Sequence, residues 1–227
     1  TDWASDRPIV NIDHHATNLN FADIALVDPD ASATGAIIYR ILKKMQVKIT
    51  REIALCIYTT IVVDTGSFHY GNSNPEAFRI AGEMVNLGVE PWIVAENLYE
   101  SQPEGRIRLH AAALNTLSTH HNGKIGFITV SNEMYKATGT TAEDTDGIVN
   151  YARSLKGVEV AIFVREIPQG KYKASLRSKG RTDVTKIAGR YDGGGHVNAA
   201  GCVLNGSLTE VKRKLIEATE EILRGSK

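Results

Sequence analysis

The sequence predicts an α/β protein in two parts: a unit built on a parallel sheet, then a smaller α+β unit, joined by a helical linker. Three observations carry this. Residues 9–12 (Ile-Val-Asn-Ile) are a short β-branched run, the pattern of a strand buried in an α/β sheet, and helical spacing follows it. Residues 104–120 read as one long helix. From Lys124 onward the pattern turns to strands around a hairpin signal, Pro168-Gln169-Gly170. The expected divisions are residues 1–103, a linker at 104–122 and a second domain at 123–227.

In the first part, Asp28-Pro29-Asp30 is a turn. Ser32 or Thr34 is placed to cap a helix running to about Lys44, with Ile37, Ile38, Ile41, Leu42 and Met45 on one face. Thr50 caps a second helix to about Val63. It is apolar nearly all round, which predicts deep burial. Asn74-Pro75-Glu76 opens a third helix, with a cap, a proline in the first turn and an acid behind it, and Gly88 ends it. Glu90-Pro91-Trp92 starts another, ending near Tyr99.

In the second part, residues 125–130 read as a strand and residues 131–136 as a short helical piece. Thr141 and Asp144 form a capping box that opens a helix to Leu155. Residues 158–167 and 171–178 are the two strands of the hairpin. Residues 183–191 form a short helix, 192–196 a glycine loop and 199–204 a strand. Ser207 or Thr209 caps a last helix through Leu223.

Composition bounds the function. Lys and Arg number 26, Asp and Glu 26, so no global field draws long nucleic acid to this chain, and any acidic ligand must be held by local charge. Two cysteines, Cys56 and Cys202, make no disulfide framework, which fits a reducing, cytoplasmic setting. No apolar run approaches the ~18 residues of a membrane span, and no signal peptide opens the chain. The first residues lead straight into a strand with no element before it. A parallel strand needs neighbours, and the expectation is that the natural protein continues upstream.

Two apolar elements end on chemistry. The strand at 9–12 runs into Asp13-His14-His15, and the second helix into Asp64-Thr65-Gly66-Ser67-Phe68. Ligands in open α/β sheets bind outside the carboxyl ends of the strands. Imidazole beside carboxylate is a ligand set for a divalent metal, and an unpaired buried Asp is costly. Each piece alone also reads as a polar turn or a loop cap. His69, His110, His120 and His121 read as solvated.

The second part concentrates positive charge. Between Arg165 and Arg190 stand Arg165, Lys171, Lys173, Arg177, Lys179, Arg181, Lys186 and Arg190 against Glu166 and Asp183. Alternation puts Lys171, Lys173, Arg177 and Lys179 on one strand face, a pattern that a solvated face would share. Arg177-Ser178 lies at the strand end, favouring Arg177 as a bidentate phosphate ligand. Gly193-Gly194-Gly195 contributes no packing, so the run makes sense where something approaches the backbone, and such loops bind anions. His196 follows and can donate to a phosphate or a base edge.

Residues 11–15, 64–68, 177–179 and 193–196 with Ala199-Ala200-Gly201, in this order and spacing, resemble the DHH phosphoesterase family with its DHH-associated C-terminal domain. The resemblance covers essentially the whole chain. It implies two Mn²⁺ ions with His14 and Asp64 as ligands, His15 near the scissile phosphate as a catalytic group, and Asp13 as a supporting carboxylate. It implies that Arg177, Ser178, Gly193, Gly194, Gly195 and His196 hold the rest of the substrate. The family's earlier motifs, a His-x-Asp-x-Asp and a further Asp, have no counterpart before Pro8.

The expected activity is metal-dependent hydrolysis of short oligoribonucleotides and of 3′-phosphoadenosine 5′-phosphate, in a cleft suited to a short molecule with two phosphates. Alternatives are a phosphodiesterase for cyclic or linear dinucleotides, or a nucleotide-binding module without catalysis. Partners are the nucleotide substrate and no membrane, with a homodimer as a candidate assembly. The chain by itself is expected not to be a competent catalyst.

Overall fold

The computed structural model describes residues 7–15, 18, 19, 21–180 and 182–225. The opening segment before Arg7, Ala16-Thr17 after the Asp-His-His stretch, and Arg181 lie outside the described residues. The chain is a mixed α/β protein that divides into two compact units, Thr1–Ser101 and Gln102–Lys227.

In the first unit, β1 (Val10–Asp13) pairs in parallel with β2 (Ile24–Val27), with Val10 opposite Ile24 and Asp13 opposite Val27. Helices α1 (Thr34–Lys44), α2 (Arg51–Asp64), α3 (Pro75–Asn86) and α4 (Pro91–Ala95) follow, the last running into a π-turn at Glu96–Glu100. Their core gathers Tyr39, Ile57, Ile61, Ile80 and Met84. Gly35 lets α1 lie close on α2, since a Cβ there would stand 1.9 Å from Thr60 Oγ1. Thr50 accepts from Ile53 N and Asn74 from Ala77 N, as their caps require.

Three expectations need correction here. Strand β1 is not buried on both faces: Val10 is 57% exposed, because β2 is its one neighbour among the described residues. Helix α2 is buried along one face only, Leu55 and Val63 being exposed, because α1 and α3 pack on the same side. The residue at the α1 N-cap is Ala33, with no side-chain cap.

The second unit is a six-stranded mixed sheet in the order β3-β4-β5-β6-β8-β7. Its strands are β3 (Ser118–His120), β4 (Ile125–Val130), β5 (Val160–Ile167), β6 (Lys171–Ser178), β7 (Gly194–His196) and β8 (Ala199–Asn205). Strands β4 and β5 are parallel; the other neighbours are antiparallel. Between β5 and β6, Ile167 pairs with Lys171 across the three-residue connection Pro168-Gln169-Gly170, in which Gln169 and Gly170 both take positive φ. Helices α8 (Thr185–Ala188) and α9 (Leu208–Gly225) cover one sheet face, over Phe127, Ile162 and Leu176. Truncating one of these side chains to Ala costs about 2–5 kcal/mol. Helices α5 (Glu104–Leu114) and α7 (Ile148–Ser154) cover the β4–β5 half of the other face, over Ile128 and Phe163. The short α6 (Asn132–Thr138) packs beside α5.

The helix expected as a linker is therefore shorter and differently employed. It ends at Leu114, the chain turns into β3, and Leu109 and Ala113 are fully buried in the second unit's core. The expected long helix after Thr141 is a 3-10 turn at Ala142–Thr145, then α7, with Gly147 at φ +87° between them. Among the described residues no helix is long and apolar enough to cross a membrane.

Candidate functional site

In the first unit, the end of β1 meets the end of α2. Asp13 is almost fully committed within its own loop. Its Oδ1 accepts from the backbone N–H of His14 (2.7 Å) and of His15 (3.1 Å), and lies 2.6 Å from His15 Nδ1. Its Oδ2 accepts from Asn18 Nδ2 at 2.6 Å. The Asn18 bond first, and then those from His15, hold the Asp13 carboxyl far below the usual carboxylate range. Asp13 thus orients His15, whose side chain is 61% exposed.

His14 turns the other way. Its Nδ1 lies 3.4 Å from the Ala31 carbonyl and its Nε2 lies 3.5 Å from Asp64 Oδ2. A carbonyl only accepts, so Nδ1 carries the hydrogen. Nε2 is left facing the Asp64 carboxylate, an arrangement in which both groups could hold a shared cation. A histidine that ligates a metal ordinarily donates its other N–H to a carbonyl in this way. Asn72 fixes the geometry: its Nδ2 donates to the Ser32 carbonyl (2.9 Å) and the Asp64 carbonyl (3.1 Å), tying the loop before α1 to the end of α2. Beyond Asp64 the chain turns sharply through Gly66, Ser67 and Phe68, all at positive φ.

The donor set fits one edge of a divalent-ion site. Among the described residues, no group of three or more His, Cys, Asp or Glu is placed to hold a metal ion. The His14–Asp64 pair offers two metal-type donors and does not by itself make a two-ion centre.

In the second unit, the residues predicted to bind substrate gather where the α5–α7 layer stops. Arg177 on β6 is opposite Ala199 on β8, and Ala199 is opposite His196 on β7, so the three share one row and one face. The next row is Ser175, Gly201 and Gly194, a floor with almost no side chains. His196 is exposed and Arg177 half-buried, its Nη1 donating to the Leu176 carbonyl at 3.1 Å.

Two expectations change. The glycine run is not a free loop: Gly194 and Gly195 belong to β7, which pairs with β8. What approaches their backbone is protein. A Cβ on Gly193 would stand 2.3 Å from the Gly201 carbonyl oxygen, and one on Gly195 2.4 Å from that of Ala199, with Gly195 at φ +145°. Ser178 is buried, and its Oγ donates to Asn198 Oδ1 at 2.9 Å, so it braces the turn before β8. Asn18 and Asn72 escaped the sequence reading, because an amide in a polar loop looks the same as ordinary turn chemistry.

Residues 122–225 match the DHHA1 domain. The chain is 34% identical over 216 residues to the bifunctional oligoribonuclease and PAP phosphatase NrnA of Thermus thermophilus, across 95% of this chain and 64% of that protein. It is 27% identical over 202 residues to the protein of the same name from Bacillus subtilis, across 88% and 63%. The cyclic-di-AMP phosphodiesterase PdeA of Listeria monocytogenes is 24% identical over 223 residues, 96% of this chain and 33% of that one. The crystal structure of an exopolyphosphatase-related protein from Bacteroides fragilis superposes with a TM-score of 0.90 at 30% identity, over 96% of this chain and 65% of that one. The chain therefore spans just under two thirds of the NrnA proteins that it matches. With a DHHA1 domain at its C-terminal side and this identity over most of its length, the chain is NrnA-like.

Proposed function

We propose that this chain serves a phosphoesterase that hydrolyses short oligoribonucleotides and 3′-phosphoadenosine 5′-phosphate. The observation that carries the reading is the His14–Asp64 contact, two metal-type donors 3.5 Å apart at the ends of two elements. It is joined by the Arg177–His196 row above a glycine floor. The NrnA relatives are named for this pair of activities. Net neutrality agrees with short substrates, since a long polymer is gathered by an extended positive field.

In this reading His14 and Asp64 are ligands of one divalent ion. A nitrogen donor in the set favours Mn²⁺ over Mg²⁺, which prefers oxygen. When bound, such ions supply an ionised water near neutral pH and neutralise charge on the phosphoryl oxygens. His15, exposed and held by Asp13, stands ready to contact the phosphate. Arg177 offers a planar two-point donor to a second phosphate, and His196 one to a phosphate or a base edge. The likeness to PdeA favours a second reading, hydrolysis of cyclic or linear dinucleotides, which the same groups would serve.

The test is hydrolysis by the whole enzyme that this chain serves, in excess Mn²⁺ and in EDTA. Substrates are diadenylate, 3′-phosphoadenosine 5′-phosphate, cyclic di-AMP and bis-p-nitrophenyl phosphate. The first two should be turned over with the highest kcat/KM, only with metal, and the model ester poorly. Preference for cyclic di-AMP selects the second reading. Equal kcat/KM on the model ester and the dinucleotide removes the second unit from recognition.

A further inference from the structure

The open face of the second unit carries more positive charge than the Arg177–His196 row uses. Arg165 on β5 and Lys173 on β6 are direct cross-strand partners. Like charges so placed destabilise an antiparallel pair. Several cations elsewhere in this unit do have a carboxylate partner: Lys124 with Glu159, Arg190 with Glu221, Arg213 with Glu217. None of the ion pairs within 4.0 Å among the described residues involves Arg165 or Lys173. Arg165 lies near the Tyr135 hydroxyl, which brings no charge at neutral pH.

Both side chains line a cavity of about 260 Å³, which Arg177 and Ser175 also line. Glu143 and Asp146 line it too, so three cations meet two carboxylates. A second cavity of about 420 Å³ adjoins it at Lys173, lined by Tyr191, Gly193, Gly201 and Val203. Tyr191 is fixed there, its hydroxyl donating to the Lys214 carbonyl at 2.9 Å. A small basic cavity beside a larger one with an aromatic wall has the proportions of phosphate and nucleoside. Aromatic walls accept any base, because every base has a π-face.

We propose that the Arg165–Lys173 end of the smaller cavity is a second phosphate subsite, which sets a preference for longer oligonucleotides. Lys173 and Arg177 are four residues apart on β6, about 13 Å at the rise of a strand. The two phosphates of a single bisphosphorylated nucleoside do not span that backbone distance, whereas the outer two of the three phosphates of a 5′-phosphorylated trinucleotide do. The base of the added nucleotide then lies in the larger cavity against Tyr191. This inference rests on the nucleotide reading of the same face.

The test is equilibrium binding to the chain in EDTA, with 5′-phosphorylated triadenylate (triadenylate below) and 3′-phosphoadenosine 5′-phosphate as probes over a series of salt concentrations. Arg165→Gln and Lys173→Gln should each weaken triadenylate about tenfold. Each should also lower its log–log salt slope by about 0.7, the signature of one lost phosphate contact on a single strand. Both should leave the bisphosphorylated nucleoside within about twofold, which also reports intact folding. Arg177→Gln should weaken both probes. Equal weakening of the two probes by Arg165→Gln and Lys173→Gln, or none, overturns the subsite while leaving the nucleotide reading in place. Failure of the unmutated chain to bind either probe overturns that reading, and the subsite with it.

Discussion

Asp13 has the composition of a metal ligand and the surroundings of a positioning group. Two backbone N–H groups, one imidazole and one amide already occupy its oxygens. Asn18 makes the largest contribution to its depressed pKa. A carboxyl whose folded pKa lies below its unfolded value of about 3.9 adds stability above that pH, and this is lost as pH falls through the folded value. Asn18→Ala should therefore move Asp13 back toward the ordinary range, lower stability at neutral pH and shrink the loss of stability on going to acid, where wild type and variant converge. Carboxyl-carbon NMR titration reads the shift directly. An Asp13 that titrates identically in the variant contradicts the role given to Asn18. His14 faces a carbonyl on one side and Asp64 on the other, and is the better candidate for a ligand.

At the scale of elements, β7 shows what glycines do here. Gly193 and Gly195 leave room for the backbone of β8, and His196 is carried at the end of the strand they allow. Gly195→Ala should detach β7, because the added methyl meets the Ala199 carbonyl at 2.4 Å where φ is +145°. Expected is a loss of about 1–3 kcal/mol, the usual range for backbone strain of this kind, with weakened nucleotide binding. His196→Ala should weaken binding at unchanged stability. Thermal melts of the two variants separate these outcomes, and an unaffected Gly195→Ala protein contradicts the close approach.

The hairpin strands β5 and β6 were legible because alternation placed Ala174 and Leu176 opposite Lys173 and Arg177, and burial follows that division. Strand β7 was not, because glycines carry no alternation to read. Strand β3 was hidden for a related reason: Ser118-Thr119-His120 is polar and follows a helix without a breaker. The helix at 104–114 was recognised, but Leu109 and Ala113 at i, i+4 look alike whether they face a linker's neighbour or a core. His14, Asp64, Arg177 and His196 stood out as polar or charged residues ending apolar elements. Asn18, Asn72 and the Arg165–Lys173 pairing depend on loop closure and strand register, which one sequence does not display.

At the scale of the molecule, two compact units each bring their own core. Metal-type donors lie in the first, and the cation row and glycine floor in the second. In the proposed function the first set handles the reacting bond and the second holds the remainder of the substrate. That division is tested most directly by steady-state kinetics of single variants of the whole enzyme on diadenylate in excess Mn²⁺. His14→Ala and Asp64→Ala should lower kcat by about 100-fold or more, since even groups that only support a metal's ligands cost 10–100-fold when removed. Arg177→Ala and His196→Ala should raise KM about tenfold each, equivalent to about 1.4 kcal/mol of binding, with kcat changed far less. A His196→Ala protein that has lost turnover with KM unmoved would contradict the division of labour.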